Sequence, residues 1–340
     1  MGWSKRQQYT PTVAPSTVAD VVGESVRPLA RPRVVRERRP TGTWGTAIRI
    51  ILRWLIRLVV LVLLAMFVHM LVTNKALQWE VVGEYFTERS VLLGVVRTLE
   101  LTAISMAVGI VLGVVLALMR LSATVLLNVA ASAFLWLFRG TPLLVQILFW
   151  FNLATFVPNI SLGIPFGPTF VSWETNALIS PFVAAVLALS LNQGAYMCEI
   201  VRAGILSVDT GQIEAALTLG MTRSRAMRRI VMPQAMRIII PPTGNHAIAL
   251  LKDTSLVSVI SMTELLYSVQ IIYASTFETI PLLIVASLWY LLMTTVTSIG
   301  QYFLEKRFGR GASRNVQLSV YERITRNLVT PFRRNAGVHR

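Results

Sequence analysis

The chain has 340 residues, of which 54% are hydrophobic and only 14% are charged, and its formal net charge is +16 at pH 7. This composition is too apolar for an ordinary soluble domain of this length. In a soluble protein the charge would suggest a nucleic-acid partner, but here the Arg and Lys residues lie beside apolar segments. We therefore expect an all-α integral membrane protein that binds anionic lipids and no nucleic acid.

The few cysteine and histidine residues argue against a disulfide or a metal site. The single cysteine, Cys198, lies in an apolar segment and excludes an internal disulfide. His69, His246 and His339 are far apart in the sequence, so a three-histidine site would need a tertiary coincidence. We expect no metal and no cofactor in this chain.

The first 92 residues contain a tail, a membrane span and a linker. Residues 1–47 are polar and rich in Pro and Arg, which predicts a basic disordered cytoplasmic tail. Residues 48–92 then supply a first span at about 50–72, too far into the chain for a cleavable signal peptide, and an external linker. An acidic stripe in that linker fits either a short interfacial helix or a solvated face, and it comprises Glu80, Glu84 and Glu88.

Five further apolar segments predict a membrane core over residues 93–305. They cover residues 93–119, 135–157, 182–201, 245–266 and 281–303. In the first of these segments Ser105, Gly109 and Gly113 share one helix face, which would permit a second helix to approach closely.

The connections between these spans alternate in charge, which indicates an orientation. The loops at 158–181 and 267–280 contain no Lys or Arg and are predicted to be external. The insert at 202–242 and the tail at 306–340 are basic and are predicted to be cytoplasmic. Six spans with both termini inside agree with the positive-inside rule at every loop.

The basic insert carries the string EAALTLGMTRSRAMRRIVMP at residues 214–233. Asp209 or Thr210 can cap a first helix, Gly220 can end it, and Thr222 can cap an Arg-rich second helix. Pro233 is expected to stop or kink that second helix. Composition alone leaves two possibilities open, a docking surface for a soluble partner or a solvated helical hairpin.

This string resembles the EAA signature of permease subunits of binding-protein-dependent ABC importers. The matching positions are Glu214, Ala215, Ala216, Gly220, Ile230 and Pro233, with Met232 where Leu is usual. Other strings resemble the polar amino-acid branch of that family, first among them Arg139, Gly140, Thr141, Pro142 and the residues up to Gln146. Further matching positions lie within Tyr196–Gly204, Ser207–Gln212 and Leu251–Leu256, and at Glu264-Leu265.

The resemblance covers residues 90–305 and implies a five-helix type I importer permease core, with a cytoplasmic EAA coupling loop at 203–242 and one extra N-terminal helix. It implies that Glu214, Ala215 and Gly220 contact an ABC ATPase dimer, and that the neighbouring arginines bind its acidic rim. The chain contains no Gly-x-x-x-x-Gly-Lys-Ser/Thr phosphate loop. The partner would therefore bind ATP and Mg²⁺, and this chain would be no enzyme.

The resemblance also implies a bacterial cytoplasmic membrane, an extracytoplasmic solute-binding protein and a second permease subunit, identical or a sister. Because polar groups in spans are costly and tend to face a cavity, candidate pathway residues are Asn192, Gln193, Lys252, Asp253, Thr254 and Ser255. Lys252 and Asp253 could instead form a buried structural pair, and Arg139 an interfacial anchor.

Three alternatives stay open at this point. The chain could be a permease of another importer branch, for osmolytes or metal chelates. It could be a secondary transporter or channel that works alone, although no clear internal repeat supports that. It could be an intramembrane enzyme, although no paired Asp residues, Ser with His, or metal motif occurs in the spans.

Overall fold

A computed structural model describes residues 43–164 and 168–308 of the chain. The basic tails predicted at 1–47 and 306–340 therefore lie almost wholly outside the described residues. The chain divides into two compact units, the first ending at Met70 and the second beginning at Leu71. Within the described residues, the first unit is the greater part of one helix, and the second contains the elements that follow it.

The described elements are mainly helical. The helices are α1 (Thr43–Thr73), α2 (Trp79–Phe86), α3 (Arg89–Leu121), α4 (Val125–Gly140), α5 (Leu143–Phe151), α6 (Leu153–Phe156), α7 (Thr175–Leu178), α8 (Pro181–Leu206), α9 (Thr210–Thr218), α10 (Arg223–Ala226), α11 (Met232–Asp253), α12 (Leu265–Thr276) and α13 (Thr279–Phe308). The other elements are 3₁₀ helices at Lys75–Leu77 and Thr254–Ile260, a π turn at Met227–Val231, and strands β1 (Asn159–Gly163) and β2 (Thr169–Glu174).

Four of the described helices are long and apolar enough to cross a bilayer, and they span Ile51–Thr73, Arg89–Leu121, Pro181–Leu206 and Thr279–Phe308. Two bent helix pairs raise the number of spans to as many as six. In the first pair α4 meets α5 at 103°, and in the second the helix that ends at Ile260 meets α12 at 45°. The predicted helical membrane architecture is confirmed, but two of its spans are broken rather than continuous.

Helices α3 and α8 pack against each other at glycines of α3. A Cβ atom on Gly109 would lie 2.9 Å from the Cβ of Gln193, and one on Gly113 would overlap the side chain of Met197. Ser105, on the same face, is fully buried. The close approach predicted from the spacing of these small residues is therefore confirmed, and it is a contact between the backbone of α3 and the side chains of α8.

The predicted continuous span at 135–157 is wrong, because the helix begins earlier and breaks inside that range. Thr141 is extended, with φ −112° and ψ 143°, and Pro142 has no N–H to continue the helical hydrogen bonds. The freed carbonyl of Phe138 instead accepts a hydrogen bond of 2.9 Å from Nε2 of Gln146. The same Nε2 atom donates to Oγ1 of Thr141 at 2.8 Å.

The predicted span at 245–266 and the loop at 267–280 also need correction. Helix α11 begins before the expected span, and α12 occupies most of the expected loop. The chain turns at Ser261, whose φ is 57°, and α12 begins where the Glu264 carboxylate accepts hydrogen bonds from N of Leu266 (2.9 Å) and Tyr267 (2.8 Å). The buried Glu264 side chain thus caps the start of a helix in a range where the absence of Lys and Arg alone had predicted a loop.

Two smaller elements flank the core. Of the acidic stripe in the linker, Glu80 and Glu84 lie in a short helix, α2, whereas Glu88 lies beyond its end and directly precedes α3. Helix α2 is joined to α13 by a hydrogen bond of 2.9 Å from Nε1 of Trp289 to the Phe86 carbonyl. The loop predicted at 158–181 contains the antiparallel hairpin β1–β2, in which Ile160 lies opposite Trp173. Hydropathy could not indicate this hairpin, because its strands are short and exposed.

Candidate functional site

The segment that carries the EAA string is a capped helical hairpin at the end of α8. The Asp209 carboxylate accepts a hydrogen bond of 2.7 Å from N of Gly211 and so caps α9. Gly220 ends α9 with φ 79°, a conformation that favours glycine. The N–H groups of Gly220 and Met221 donate to the carbonyls of Leu217 and Ala216, the pattern of a Schellman motif. Both ends of α9 are therefore fixed by local hydrogen bonds.

The EAA residues divide between an exposed surface and the interior. Glu214 and Ala215 are exposed, whereas Ala216 is only 2% exposed. Leu219, one turn further along, is 83% exposed, which is unusual for a leucine at the end of a short helix. Next to them is a groove of about 540 Å³ lined by Asp209, Gly211, Gln212, Ala215, Ala216, Leu219, Met221 and Ile230. Ala215 and Ile230 thus line one concave surface.

Pro233 was expected to stop or kink the second helix of the segment, and the structure shows that it does not stop it. The chain continues through the π turn into α11, and Pro233 lies in the first turn of α11, where a missing N–H is tolerated. Because the π turn adds a residue, Ala226 and Val231 are both buried although they are five positions apart. Gln234 donates a hydrogen bond of 2.9 Å to Gln212 and ties this helix to α9.

A second, polar groove of about 560 Å³ lies beside the break between α4 and α5, where α8 and α11 also contribute side chains. Its polar lining residues are Arg139, Thr141, Asn192, Gln193, Tyr196, His246 and Asp253. Asn192 donates to the Phe138 carbonyl at 3.0 Å and to Oε1 of Gln146 at 3.3 Å. The wall of this groove is therefore joined by hydrogen bonds to the helix break itself.

Arg139 connects this groove to a cluster of charges. Its guanidinium lies 5.4 Å from the ring centre of Tyr196, and its Nη1 lies 3.8 Å from Oε1 of Glu199. Glu199 also pairs with Arg120 and, at 2.9 Å, with Arg202. One carboxylate is thus shared by three arginines, so Arg139, which is 44% exposed, keeps donors for another partner.

The candidate pathway residues are only partly brought together. Asn192, Gln193 and Asp253 line the polar groove, and Nε2 of Gln193 is buried without a hydrogen-bond partner among the described residues. Lys252 is exposed outside the lining, and Thr254 and Ser255 donate to the carbonyls of Leu251 and Lys252. Because Lys252 and Asp253 are both exposed, they are not a buried pair.

Sequence reasoning missed the structural roles of two polar residues, one that lines this groove and one at the start of α12. His246 was weighed only as a metal ligand, but it lies 5.2 Å from Tyr196 between ring centres and lines the groove. Glu264 is fully buried and accepts a hydrogen bond of 2.8 Å from the Tyr290 hydroxyl. For each of these residues, the sequence signal that could have indicated its role was a polar side chain inside an apolar segment. Among the described residues, no group of His, Cys, Asp and Glu could hold a metal ion.

Comparison with known proteins decides the family. Residues 109–310 match the model of the family described as the binding-protein-dependent transport system inner membrane component. The chain belongs to this family. It is 43% identical over 267 residues to the arginine transport system permease protein ArgU of Corynebacterium glutamicum, covering 78% of this chain and 82% of that protein. It is 37% identical over 241 residues to the L-cystine transport system permease protein TcyB of Bacillus subtilis, covering 71% and 95%.

Solved structures agree with this assignment. A crystal structure of an amino acid ABC transporter with histidines matches with 36% identity and a TM-score of 0.55, and covers 64% of this chain and 94% of that one. The MetNI methionine ABC transporter, in an inward-facing conformation, matches with 17% identity and a TM-score of 0.51, covering 64% and 96%, and supports the fold alone.

Membership of the family confirms the predicted permease class. The chain is an inner-membrane permease that works with an ATPase and a binding protein, and the hydrolysis of ATP belongs to the partner subunit. A transporter that works alone and an intramembrane enzyme are not favoured, because the matched family consists of membrane components of multi-subunit importers.

Proposed function

We propose that this permease conducts an α-amino acid across the cytoplasmic membrane through the polar groove beside the α4–α5 break. The names of its relatives support an amino acid, since they transport arginine, cystine and glutamine. The observation that carries the proposal is that Arg139 and Asp253 line the same groove. A cation and a carboxylate in one groove match a zwitterion, whose carboxylate and ammonium groups need opposite partners.

The groove residues take separate roles in this proposal. Arg139 binds the substrate carboxylate, because Glu199 occupies only part of its donor capacity. Asp253 binds the α-ammonium group. Asn192 is held by Phe138 and Gln146, so it orients the wall, whereas the unpaired amide of Gln193 is free to donate to the substrate. Such buried donors are costly unless a ligand satisfies them.

The exposed face of α9 is the proposed contact with the ATPase. Glu214 and Ala215 present a small acidic surface beside the groove that Ile230 also lines, and Gly220 fixes the end of the helix. The exposed residues Arg223, Arg225, Arg228 and Arg229 extend this surface with positive charge. The buried Ala216 serves the packing of the segment, and Pro233 lies in the first turn of α11. Both ends of α9 are capped, so the segment can transmit a displacement without unfolding.

The charges of the described residues support an orientation with α9, and hence both termini, on the cytoplasmic side. The α9 end of the core carries Arg120, Arg202, Arg223, Arg225 and Arg307. The hairpin at the other end of α8 contains no Lys or Arg. Of these arginines, Arg307 is the proposed contact with anionic headgroups, because it is exposed and lies at the end of the membrane-spanning helix α13. A second permease subunit, identical or a sister, would complete the pathway, because one broken-helix core is small.

The test is uptake of radiolabelled amino acids into proteoliposomes that contain the permease, its ATPase and its binding protein. Arg139→Gln should raise the KM for the substrate about 10-fold to 100-fold, since a charge-assisted hydrogen bond is lost. The matched control is Lys252→Gln, which removes a charge near Asp253 but outside the groove. Equal kinetics for both variants, or uptake of an osmolyte in preference to amino acids, would refute the proposal.

A further inference from the structure

The β1–β2 hairpin has two chemically different faces. Two cross-strand pairs place Ile160 opposite Trp173 and Leu162 opposite Val171 on one face. The two pairs that alternate with these place Asn159 opposite Glu174 and Ser161 opposite Ser172 on the other face, and the two serine hydroxyls are 3.1 Å apart. Strand residues alternate between faces, so this hairpin is apolar on one side and polar on the other. Phe170 is skipped by the irregularity after Leu162 and has no opposite residue.

Most of the apolar face is uncovered in the protein alone. Leu162 is 65% exposed, Val171 and Trp173 are exposed as well, and Ile160 is partly buried. A two-stranded hairpin is at best marginally stable in water unless its apolar face packs against something. A contiguous apolar surface on a folded protein commonly marks an interaction site.

The base of the hairpin is fixed to the ends of membrane-embedded segments. The Thr175 hydroxyl, just after β2, donates to the Val157 carbonyl just before β1, and N of Thr175 donates to the Pro158 carbonyl at 2.9 Å. Helix α8, which spans the membrane, begins six residues after Thr175, at Pro181. The hairpin therefore cannot move far from the bilayer surface at that end of α8.

Exposed aromatic side chains also lie at the base of the hairpin. At its base Phe156 is 67% exposed and stacks on the exposed Phe149 of α5, with ring centres 5.8 Å apart. The apolar face itself carries no charge, and Trp173 is the residue type that prefers the boundary between headgroups and acyl chains. An uncharged face that lies close to the start of a membrane-spanning helix matches lipid better than the charged or polar surface of a soluble partner.

We propose that the hairpin lies on the bilayer, on the membrane side opposite α9, with Ile160, Leu162, Val171 and Trp173 in the headgroup–acyl boundary and the serine face toward water. In this position the hairpin is an interfacial anchor for the outer ends of α5 and α8. The proposal concerns the surface of the permease and is independent of the substrate and of the groove.

The test uses spin labels at four positions of the whole transporter in vesicles of palmitoyl-oleoyl phosphatidylcholine and phosphatidylglycerol. In a Cys198→Ala background, the variants Leu162→Cys and Val171→Cys place labels on the apolar face. The neighbouring Ser161→Cys and Ser172→Cys place matched controls on the polar face. Collisions with O₂, which concentrates in acyl chains, are compared with collisions with a water-soluble nickel chelate.

We expect labels on the apolar face to have an O₂-to-nickel collision ratio several-fold above that of the serine face. Equal nickel access at all four positions would show a solvated hairpin and overturn the proposal. Protection of the apolar face from both probes would show that protein covers it and would also overturn the proposal. If the protection disappears when the binding protein is omitted, the binding protein is the protein that covers the face. If a label prevents assembly, a small water-soluble maleimide applied to the unlabelled variants makes the same comparison.

Discussion

The side-chain amide of Gln146 donates a hydrogen bond of 2.9 Å to the main-chain carbonyl of Phe138, across the break between α4 and α5. The two residues lie on different helices that meet at 103°, and the same amide group also contacts Thr141. A helix that breaks inside a membrane must satisfy its freed carbonyls within the protein. Gln146 therefore supplies a hydrogen bond that the break would otherwise lack, and it stabilises one wall of the polar groove.

Replacement of Gln146 by Leu should destabilise the break while keeping the side-chain volume. The Phe138 carbonyl and the Asn192 amide lose a partner, so we expect a cost of about 1–3 kcal/mol and a fall in Tm of roughly 3–10 °C. The measurement is thermal unfolding of the purified permease, followed by uptake. The control is Val145→Leu, on the exposed side of α5. An unchanged Tm would show that the hydrogen bond from Asn192 is enough for the Phe138 carbonyl and that Gln146 does not stabilise the break.

The close packing of α3 on α8 should not tolerate a methyl group at Gly113. Gly113→Ala places a Cβ against Met197 and the backbone of Cys198, and such overpacking typically costs about 1–3 kcal/mol. The matched control is Gly300→Ala in α13, where a Cβ meets nothing within 4 Å, so its stability should be equal or higher. Thermal unfolding of the two variants checks this difference. If both behave alike, the two helices are further apart than described.

The carboxylate of Glu264 should contribute more to stability than its hydroxyl partner does. Glu264→Ala leaves two backbone N–H groups at the start of α12 and the Tyr290 hydroxyl unpaired, which should cost about 3 kcal/mol or more. Tyr290→Phe removes only one donor and should cost about 1 kcal/mol. Since the two residues contact each other, the double variant should be less destabilised than the sum of the single ones. Additive effects would argue against the contact.

Charge reversal at Glu214 should separate transport from membrane insertion. Glu214→Lys puts a cation on the exposed face of α9, so we expect loss of uptake and release of the ATPase from the membrane, with the permease still inserted. The matched control is Glu84→Lys, an equally exposed reversal on α2. Co-purification of the ATPase and uptake are measured together. Normal transport by Glu214→Lys would exclude the proposed docking role.

The sequence was sufficient to locate the continuous spans and the capped segment. The predicted ranges 93–119, 182–201 and 281–303 fall within α3, α8 and α13, because uninterrupted apolar runs leave little choice of structure. The caps expected from Asp209, Gly220 and Thr222 are also present, since capping depends on neighbouring residues only.

The helix breaks and the groove depended on contacts that sequence cannot provide. Hydropathy averaged over a window does not detect the short interruptions at Thr141-Pro142 and at Ser261 to Glu264. Side chains that stabilise these breaks come from other helices. Asn192 and Gln193 were predicted in the pathway because amides are costly in a span; both line the groove, and their role in transport stays a prediction. Lys252 and Asp253 are adjacent in sequence, yet only Asp253 lines the groove, and helix faces cannot be assigned until the bends are known.

The five-residue spacing between Ala226 and Val231 has a consequence for protein engineering. Removal of one residue from Met227–Val231 would give the four-residue spacing of an α-helix, in which the two buried positions still share a face, so the direction of α9 should not change. Conversion of the π turn to an α-helix without a deletion would instead rotate everything before it by about 100° relative to α11. A chimaera with a related importer that has no π turn should therefore contain one residue fewer between these two positions.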